Sequence, residues 1–217
     1  MNKFTKRFAL DVAAVVVLGL VATFTIAADA KQDAQLKIPE MKLPPGWTEE
    51  DMKACAAAAT PGKMQALLVA EAGNWEGKNT HWMAPDAPPM TNDVKSTIKP
   101  LMEGRYTQVE VHGEMPGMGP YHGLGVYGFD NVSQKFVSTW LDSFSTGMMT
   151  GTGELSADGK QIVWKFTHNC PITKKVAVMR QHESVGGGNT KTLEMWGADP
   201  KSGKEFQMMR IEMTRKS

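Results

Sequence analysis

The sequence has no excess of charge of either sign, because its 217 residues include 24 lysines and arginines and 23 aspartates and glutamates. Without a strongly basic field, neither nucleic acid nor an anionic membrane surface is expected as a partner. Catalytic signatures are missing too. There is no G-x-S-x-G and no H-E-x-x-H motif, and no G-x-G-x-x-G motif lies between a predicted strand and a predicted helix. The sequence therefore does not support the common hydrolase, metalloprotease or dinucleotide-binding sites.

Cysteine is scarce, since the chain has only Cys55 and Cys170. Neither lies in a C-x-x-C motif or beside a histidine, so redox and thiolate catalysis are not expected. Two interpretations of a structural role stay open. In an oxidising compartment the pair could form a disulfide that ties the N-terminal helical region to the sheet. Alternatively, both cysteines are small buried hydrophobic side chains.

Residues 1–30 have the pattern of an export signal. Basic side chains at positions 3–7 precede an almost unbroken apolar run at 12–26, and small residues at 28–30 suit a cleavage site. An uncleaved membrane anchor is the alternative, but the apolar run is short for a membrane span. We therefore expect a periplasmic or secreted protein with no stable membrane insertion after the signal is cleaved.

The segment 31–59 is predicted to be an extended arm followed by a short helix. Prolines and a glycine favour an extended chain up to residue 47, and Thr48 with the acidic residues 49–51 is typical of a helix start. Thr60-Pro61 begins a second helical pattern, which Gly73 ends. No part of the core is expected in the arm.

From Gly73 onward the residue pattern changes to the period of two that is typical of strands. Turn signals separate about nine or ten short strands, with no helix long enough to connect parallel ones. One hairpin is predicted with strands at 121–129 and 135–143 and a turn at 130–134. Such a meander stacks as a sandwich or closes as a barrel, and the mixed polar and apolar faces favour a barrel with a cavity. Residues 60–217 are thus predicted to form the barrel domain.

Four ordered segments between about Thr60 and Lys216 resemble a known family. They are TPGKMQALLVAEAGNWEGKNTHWMAPDAPP, MEGRYTQVEVHGEMPGMG, GLGVYGFDNVSQKFVSTWLDSFSTGMMTGTGE and GKEFQMMRIEMTRK. Together they are similar to the bacterial domain-of-unknown-function 1579 family, which brings no established activity. The resemblance implies an all-β fold, an antiparallel up-and-down lipocalin-like (calycin) barrel preceded by short N-terminal helices.

The calycin resemblance also implies a structural role for one tryptophan. Gly73-Asn74-Trp75 matches the calycin G-x-W motif, whose indole fills the closed end of the barrel. A basic side chain from the last strand packs on that indole through a cation–π contact, and Arg215 or Arg210 is placed to supply it.

Two sets of residues are candidate ligand contacts, provided that their strand faces point inward. Trp140 and Asp142 share one face, and Tyr106, Gln108 and Glu110 share another. The alternative is that the aromatic residues are core packing and that Asp142 accepts a hydrogen bond from a loop amide. His122 is the best haem or metal candidate, because it follows Tyr121 near the predicted barrel mouth.

Metal binding has little support from sequence spacing. The five histidines show no i, i+2 or i, i+4 pair, so no metal site is predicted. Thioethers can hold cuprous copper. However, the doublets Met148-Met149 and Met208-Met209 are expected to send one sulfur inward and one outward, as gap-filling of a core would. No cofactor is predicted, and haem is kept only as a weak analogy with other small barrels.

The preferred hypothesis is an exported, non-enzymatic barrel that binds a small hydrophobic or amphipathic molecule in its interior. A second hypothesis is an enzyme in the same cavity, with Glu110 or Asp142 as the general base and Arg105 or Arg180 stabilising charge. A third is a structural or interaction module whose interior is filled by side chains. The volume of the interior discriminates among them.

Overall fold

The described part of the chain, residues 43–217 of a computed structural model, has two short helices followed by ten antiparallel strands. The expected signal peptide and residues 31–42 of the expected arm lie outside the described residues. The elements are α1 (Glu49–Ala59), α2 (Lys63–Val69), β1 (Gly73–His81), β2 (Met90–Leu101), β3 (Tyr106–Met115), β4 (Gly119–Asp130), β5 (Lys135–Asp142), β6 (Met149–Leu155), β7 (Gln161–Asn169), β8 (Val176–Ser184), β9 (Thr190–Ala198) and β10 (Glu205–Lys216). A 3₁₀ turn, Met102–Gly104, joins β2 to β3.

The strands form one closed barrel. Each strand pairs with its neighbours along the chain, and β1 also pairs with β10, which leaves no free edge. The predicted all-β up-and-down barrel of about nine or ten strands is therefore confirmed. The predicted hairpin is present as β4 and β5, joined through residues 131–134.

The two helices differ in how they are held. Thr48 and Asp51 form a reciprocal capping box at the start of α1, but α1 has no buried residue. In contrast, α2 buries Gln65 and Leu68 against the barrel. Neither helix of the described chain is long and apolar enough to cross a membrane.

The barrel is packed at the end where α2 lies. Leu68 of α2 joins a buried cluster formed by Tyr127, Phe136, Ile162, Trp164, Phe166 and Met179. A second cluster forms around Trp75 on the strands that close the barrel, and its other buried members are Val94, Ile98, Ile211 and Met213. We call the end of the barrel at which α2 lies the closed end. The opposite end, which carries loops 82–89, 116–118, 143–148, 170–175 and 199–204, is called the open end.

Candidate functional site

A cavity of about 380 Å³ lies inside the barrel above the packed clusters. Its lining is mainly apolar, and eight methionines contribute to it: Met83, Met115, Met149, Met179, Met195, Met208, Met209 and Met213. Met83 is 62% exposed and marks the mouth at the open end. Because methionine is flexible and polarisable, this lining can adapt to ligands of different shape. The volume lies within the range of small-molecule sites, about 300 to 1,000 Å³.

A β-bulge explains part of this methionine-rich lining. The register between β9 and β10 shifts between Gln207 and Met209, which places one extra residue in β10. Met208 and Met209 consequently both line the cavity, so the expectation that their sulfurs point to opposite sides is wrong. In the other doublet, Met149 lines the cavity and Met148 is exposed.

Trp140 and Asp142 of β5 face the interior and line the cavity. Gly125 lies opposite Trp140 on β4, where the missing side chain leaves room for the indole. Asp142 also accepts a hydrogen bond of 3.0 Å from the Phe144 amide at the start of the following loop. Burial, and then the negative charge of Asp142, raise the pKa of Tyr121, so the phenol at this rim stays protonated. Whether Trp140 and Asp142 contact a ligand stays a prediction.

The inner face of β1 and β2 forms a polar wall, which we define as Asn79, His81, Asn92 and Ser96. The Asn79 amide donates to Asn92 Oδ1 at 3.0 Å. Three other atoms of this wall are buried without a hydrogen-bond partner, namely Asn79 Oδ1, His81 Nδ1 and Ser96 Oγ. Burial lowers the pKa of His81, which keeps its imidazole neutral. The wall therefore presents unsatisfied, uncharged polar atoms to the cavity.

A buried ion-pair network lies at the base of the cavity. Lys191 Nζ is 2.8 Å from Glu183 Oε1 and 3.2 Å from Glu71 Oε2, and both side chains of the latter pair are about 5% exposed. Glu183 also accepts a hydrogen bond of 3.0 Å from the Trp164 indole. Burial alone would lower the pKa of Lys191, but the charges of Glu183 and Glu71 outweigh it and raise the pKa. The ammonium is thus paired with two carboxylates, and it also donates to the Ser184 carbonyl at 3.4 Å.

Sequence reasoning missed this network, although a signal exists. Lys191 shares its strand face with Leu193 and Met195, and a lysine on an otherwise apolar inward face requires a buried partner. Glu183 similarly follows Met179 and Gln181 on the inner face of β8. The identity of the partners depends on the β8–β9 pairing and on the position of Glu71 after α2, which the local pattern does not contain.

Four of the candidate ligand residues lie on the outer wall of the barrel, which corrects the sequence-based placement. The inner face of β3 carries Thr107, Val109 and Val111, so Tyr106, Gln108 and Glu110 point outward. Tyr106 packs over Gly128 of β4 on that outer surface. His122 is also outside, since Tyr121 is the neighbour that lines the cavity. His122 is therefore not placed to bind haem iron inside the barrel.

Outside the barrel, Glu110, His112 and His122 form a compact cluster that the sequence spacing did not indicate. Glu110 Oε1 lies 3.1 Å from His112 Nε2 and 3.0 Å from His122 Nε2. His112 and His122 are direct partners in the pairing of β3 with β4. Their separation of ten positions along the chain has no helical or strand periodicity, so only the register of the hairpin brings them together.

The closed end carries the tryptophan contact that the calycin resemblance implied. Trp75 is 1% exposed and donates its indole N–H to the Glu71 carbonyl at 3.0 Å. The guanidinium carbon of Arg215 lies 4.3 Å from the centroid of the Trp75 ring. Arg215 also donates to the carbonyls of Ala70 and Ala72, whereas Arg210 pairs with Glu194 and Glu212 on the outside. The basic partner of Trp75 is Arg215.

Residues 60–215 match the model of the family described as "Protein of unknown function (DUF1579)". The chain belongs to this family. The match covers the barrel and α2 and leaves α1 outside it. No curated protein sequence matches this DUF1579 chain.

Two solved structures are similar to this DUF1579 protein in fold. Rv2717c from M. tuberculosis has a TM-score of 0.55 and 13% identity, with 71% of this chain and 97% of that chain covered. The S-type phycobiliprotein lyase CPES from Guillardia theta has a TM-score of 0.50 and 9% identity, with 72% and 94% covered. At such low identities the likeness shows the barrel fold alone.

The four candidate catalytic residues are not brought together in this DUF1579 barrel. Asp142 lines the cavity, whereas Glu110 is on the outer wall. Arg105 donates to the Ala59 carbonyl near the closed end, and Arg180 lies outside over the Trp196 ring at 4.8 Å. The predicted pairing of a carboxylate base with a nearby cation inside one cavity is therefore absent for these residues.

Both cysteines of this DUF1579 protein are free thiols in the structure. Cys55 is exposed on α1, which is attached at the closed end, and Cys170 is buried directly after β7 at the open end. The disulfide interpretation is wrong for this structure because the length of the barrel separates the two. The interpretation as a small buried side chain fits Cys170 but not Cys55.

Proposed function

We propose that this protein is exported and binds a small, partly apolar molecule inside the barrel. The observation that carries the proposal is the cavity, which is large enough for a ligand and is bounded by a rigid, closed sheet. A preformed site of this kind needs little reorganisation on binding, because the cost of ordering its walls is already met on folding. The N-terminal pattern at residues 1–30 supports export.

The chemistry of the lining favours an amphipathic molecule that carries no negative charge. The methionines offer an apolar surface, and the polar wall on β1 and β2 offers three unsatisfied atoms. A buried polar atom without a partner costs about 1 to 3 kcal/mol, so a ligand hydroxyl, carbonyl or amide that reaches this wall gains affinity. The cationic side chain of the lining, Lys191, is held by two glutamates and offers no free charge to an acidic ligand.

Native mass spectrometry of the protein purified from its own cells tests both parts of the proposal. We expect a polypeptide mass that corresponds to a chain starting near residue 31, together with a non-covalent adduct of small-molecule size that is lost on denaturation. A full-length mass would contradict cleavage of the signal and would favour the uncleaved membrane anchor. If the mass shows no bound small molecule, binding is tested with a defined probe.

N-phenyl-1-naphthylamine is that probe, because it is uncharged and becomes fluorescent in apolar surroundings. We expect saturable binding that Val111→Trp, which fills the cavity, weakens at least about tenfold, a loss of ~1.4 kcal/mol. Val126→Trp is the matched control, since Val126 is 38% exposed on the outer wall of the neighbouring strand. Equal binding by both variants would show that the probe binds elsewhere, and would favour the interaction module.

A further inference from the structure

The outer-wall cluster of Glu110, His112 and His122 is built by strand register. Glu110 and His112 are two residues apart on β3 and therefore share its outer face. His122 lies directly opposite His112 on β4. The backbone around His122 is fixed on its other side by Ser143, directly after β5. The His122 amide donates to Ser143 Oγ at 3.1 Å, and the His122 carbonyl accepts from the Ser143 amide at 2.8 Å.

The two imidazoles are aligned as a pair. Their rings are parallel to within 7°, and the centroids are 4.4 Å apart. Both Nε2 atoms reach the same oxygen of Glu110, at 3.1 Å for His112 and 3.0 Å for His122. One ligand atom from each of the three side chains lies within 4.8 Å of the others. Three potential metal-ligand atoms thus lie close together on the surface.

These separations suit a transition metal ion. Zinc takes histidine nitrogen at about 2.0 to 2.1 Å and carboxylate oxygen at about 2.0 to 2.2 Å. Two such ligands at angles between 90° and 109° are roughly 3.0 to 3.4 Å apart, and the observed nitrogen–oxygen distances are 3.0 and 3.1 Å. Both rings are about half exposed, which leaves them room to tilt their Nε2 edges together around an ion.

We infer that Glu110, His112 and His122 form a binding site for a divalent transition metal ion, with Zn²⁺ as the best match. Two imidazoles and one carboxylate favour zinc and related ions, whereas magnesium and calcium prefer sites made of oxygen. The ion would take the place of the two direct contacts between Glu110 Oε1 and the Nε2 atoms.

The exposure of the cluster determines what kind of site it is. The side chains of His112 and His122 are 58% and 52% exposed, and that of Glu110 is 32% exposed. The ion would therefore enter directly from solvent and keep its remaining positions for water or for a group from outside. This site is separate from the cavity, because the barrel wall lies between them.

Isothermal titration calorimetry of the full chain without a histidine tag tests the inference. We expect one Zn²⁺ per chain at pH 7.5 and no detectable heat from Mg²⁺. His112→Ala and His122→Ala should each weaken binding by at least about tenfold, because even loss of an outer-shell partner costs roughly that much.

Two control variants distinguish ligation from general attraction of cations. Glu114→Gln removes a carboxylate from the same strand and the same outer face, and His182→Ala removes an imidazole from the outer wall at β8. Neither should change the affinity more than about twofold, whereas Glu110→Gln should weaken it at least about tenfold. Absence of binding by the native protein would overturn the inference. Equal losses for Glu110→Gln and Glu114→Gln would also overturn it, by showing surface electrostatics only.

Discussion

Lys191 is a buried cation between two buried carboxylates, and its removal should be costly. Lys191→Met would leave Glu71 and Glu183 without their counter-charge, so we expect the free energy of unfolding to fall by about 3 to 5 kcal/mol. Urea denaturation at pH 7 measures this. Lys78→Met is the control, because Lys78 pairs with Asp93 at 2.6 Å but both side chains are more than 60% exposed, and this pair should contribute at most about 1 kcal/mol. Similar losses in the two variants would contradict the prediction.

The stabilisation by Lys191 also has a defined pH range. Its pKa in the folded protein is raised above the ordinary value of 10.5. A group of this kind contributes fully below its unfolded pKa and loses its contribution as the pH rises through the folded value. The difference in stability between the native protein and Lys191→Met should therefore be constant at neutral pH and narrow only above pH 10.5.

At the residue scale, sequence patterns identified shared faces but not their direction. Trp140 and Asp142 were correctly placed on one face of a strand, and so were Tyr106 and Glu110. The first pair points inward and the second outward. The alternation of side chains along a strand separates two faces but does not show which of them points into the barrel. In β3 both faces carry polar residues, so no apolar face identified the inner one. The partners of Lys191 and His122 required the register between strands.

Helix α1 is an element held by hydrogen bonds instead of burial. It has no buried residue, and Asn131, in the turn between β4 and β5, donates from its side-chain amide to the carbonyls of Ala57, Ala58 and Thr60. These bonds satisfy carbonyls in the last turn of the helix, because no later helical residue supplies an amide N–H to them. The Asn131 side chain thus anchors α1 to the barrel, together with Arg105, which donates to the Ala59 carbonyl at 3.2 Å.

We expect Asn131→Ala to release α1 while leaving the strands intact. Backbone amides of Glu49–Ala59 should exchange with deuterium faster in the variant, because local opening no longer breaks the three bonds to Asn131. Hydrogen exchange followed by mass spectrometry measures each segment separately. Asn169→Ala, at an exposed position at the end of β7, is the matched control and should change neither region. Unchanged exchange in α1 would show that other contacts hold it.

At the element scale, the boundaries of helices and strands could be predicted where the sequence has a strong turn or capping residue. The turn after Asp130 and the cap at Thr48 were both predicted within a residue or two of their observed positions. The bulge at Met208 could not be predicted, because an extra residue in one strand depends on its neighbour and interrupts the alternation without a proline or glycine to mark it.

For the whole molecule, closure of the barrel depends on close approach between its first and last strands. Gly77 of β1 pairs with Met213 of β10, and a Cβ atom at Gly77 would lie 2.7 Å from the Met213 Cα. That atom belongs to the backbone, so it cannot move aside as a side chain can. Any larger residue at Gly77 must push the two strands apart.

We expect Gly77→Ala to lower the free energy of unfolding by about 3 kcal/mol or more, at or above the upper end for overpacking. Binding of N-phenyl-1-naphthylamine should weaken in parallel, because the cavity wall includes this seam. Gly147→Ala is the control. A Cβ there lies 3.6 Å from the Ser145 hydroxyl, an ordinary contact in a loop, and the change should be within about 0.5 kcal/mol. An unchanged free energy of unfolding in Gly77→Ala would mean that β1 and β10 can separate without loss of the fold.

The overall architecture was accessible from sequence because many weak signals agreed. Regular turns, the absence of crossover helices and the family resemblance all favoured one closed meander, which is the observed fold. The interior of the barrel was harder to predict from the sequence. Its volume depends on how ten strands tilt and on how Trp164 and Phe166 fill one half and leave the other open, and such packing is a property of the assembled barrel.

The eight methionines that line the cavity make its character dependent on oxidants. Conversion of a thioether to a sulfoxide adds a polar, chiral oxygen to a side chain that was apolar. Oxidation of several methionines would make the apolar cavity polar, while the backbone hydrogen bonds between the strands would remain. An apolar molecule would then be bound less tightly, and reduction of the sulfoxides would restore the apolar lining.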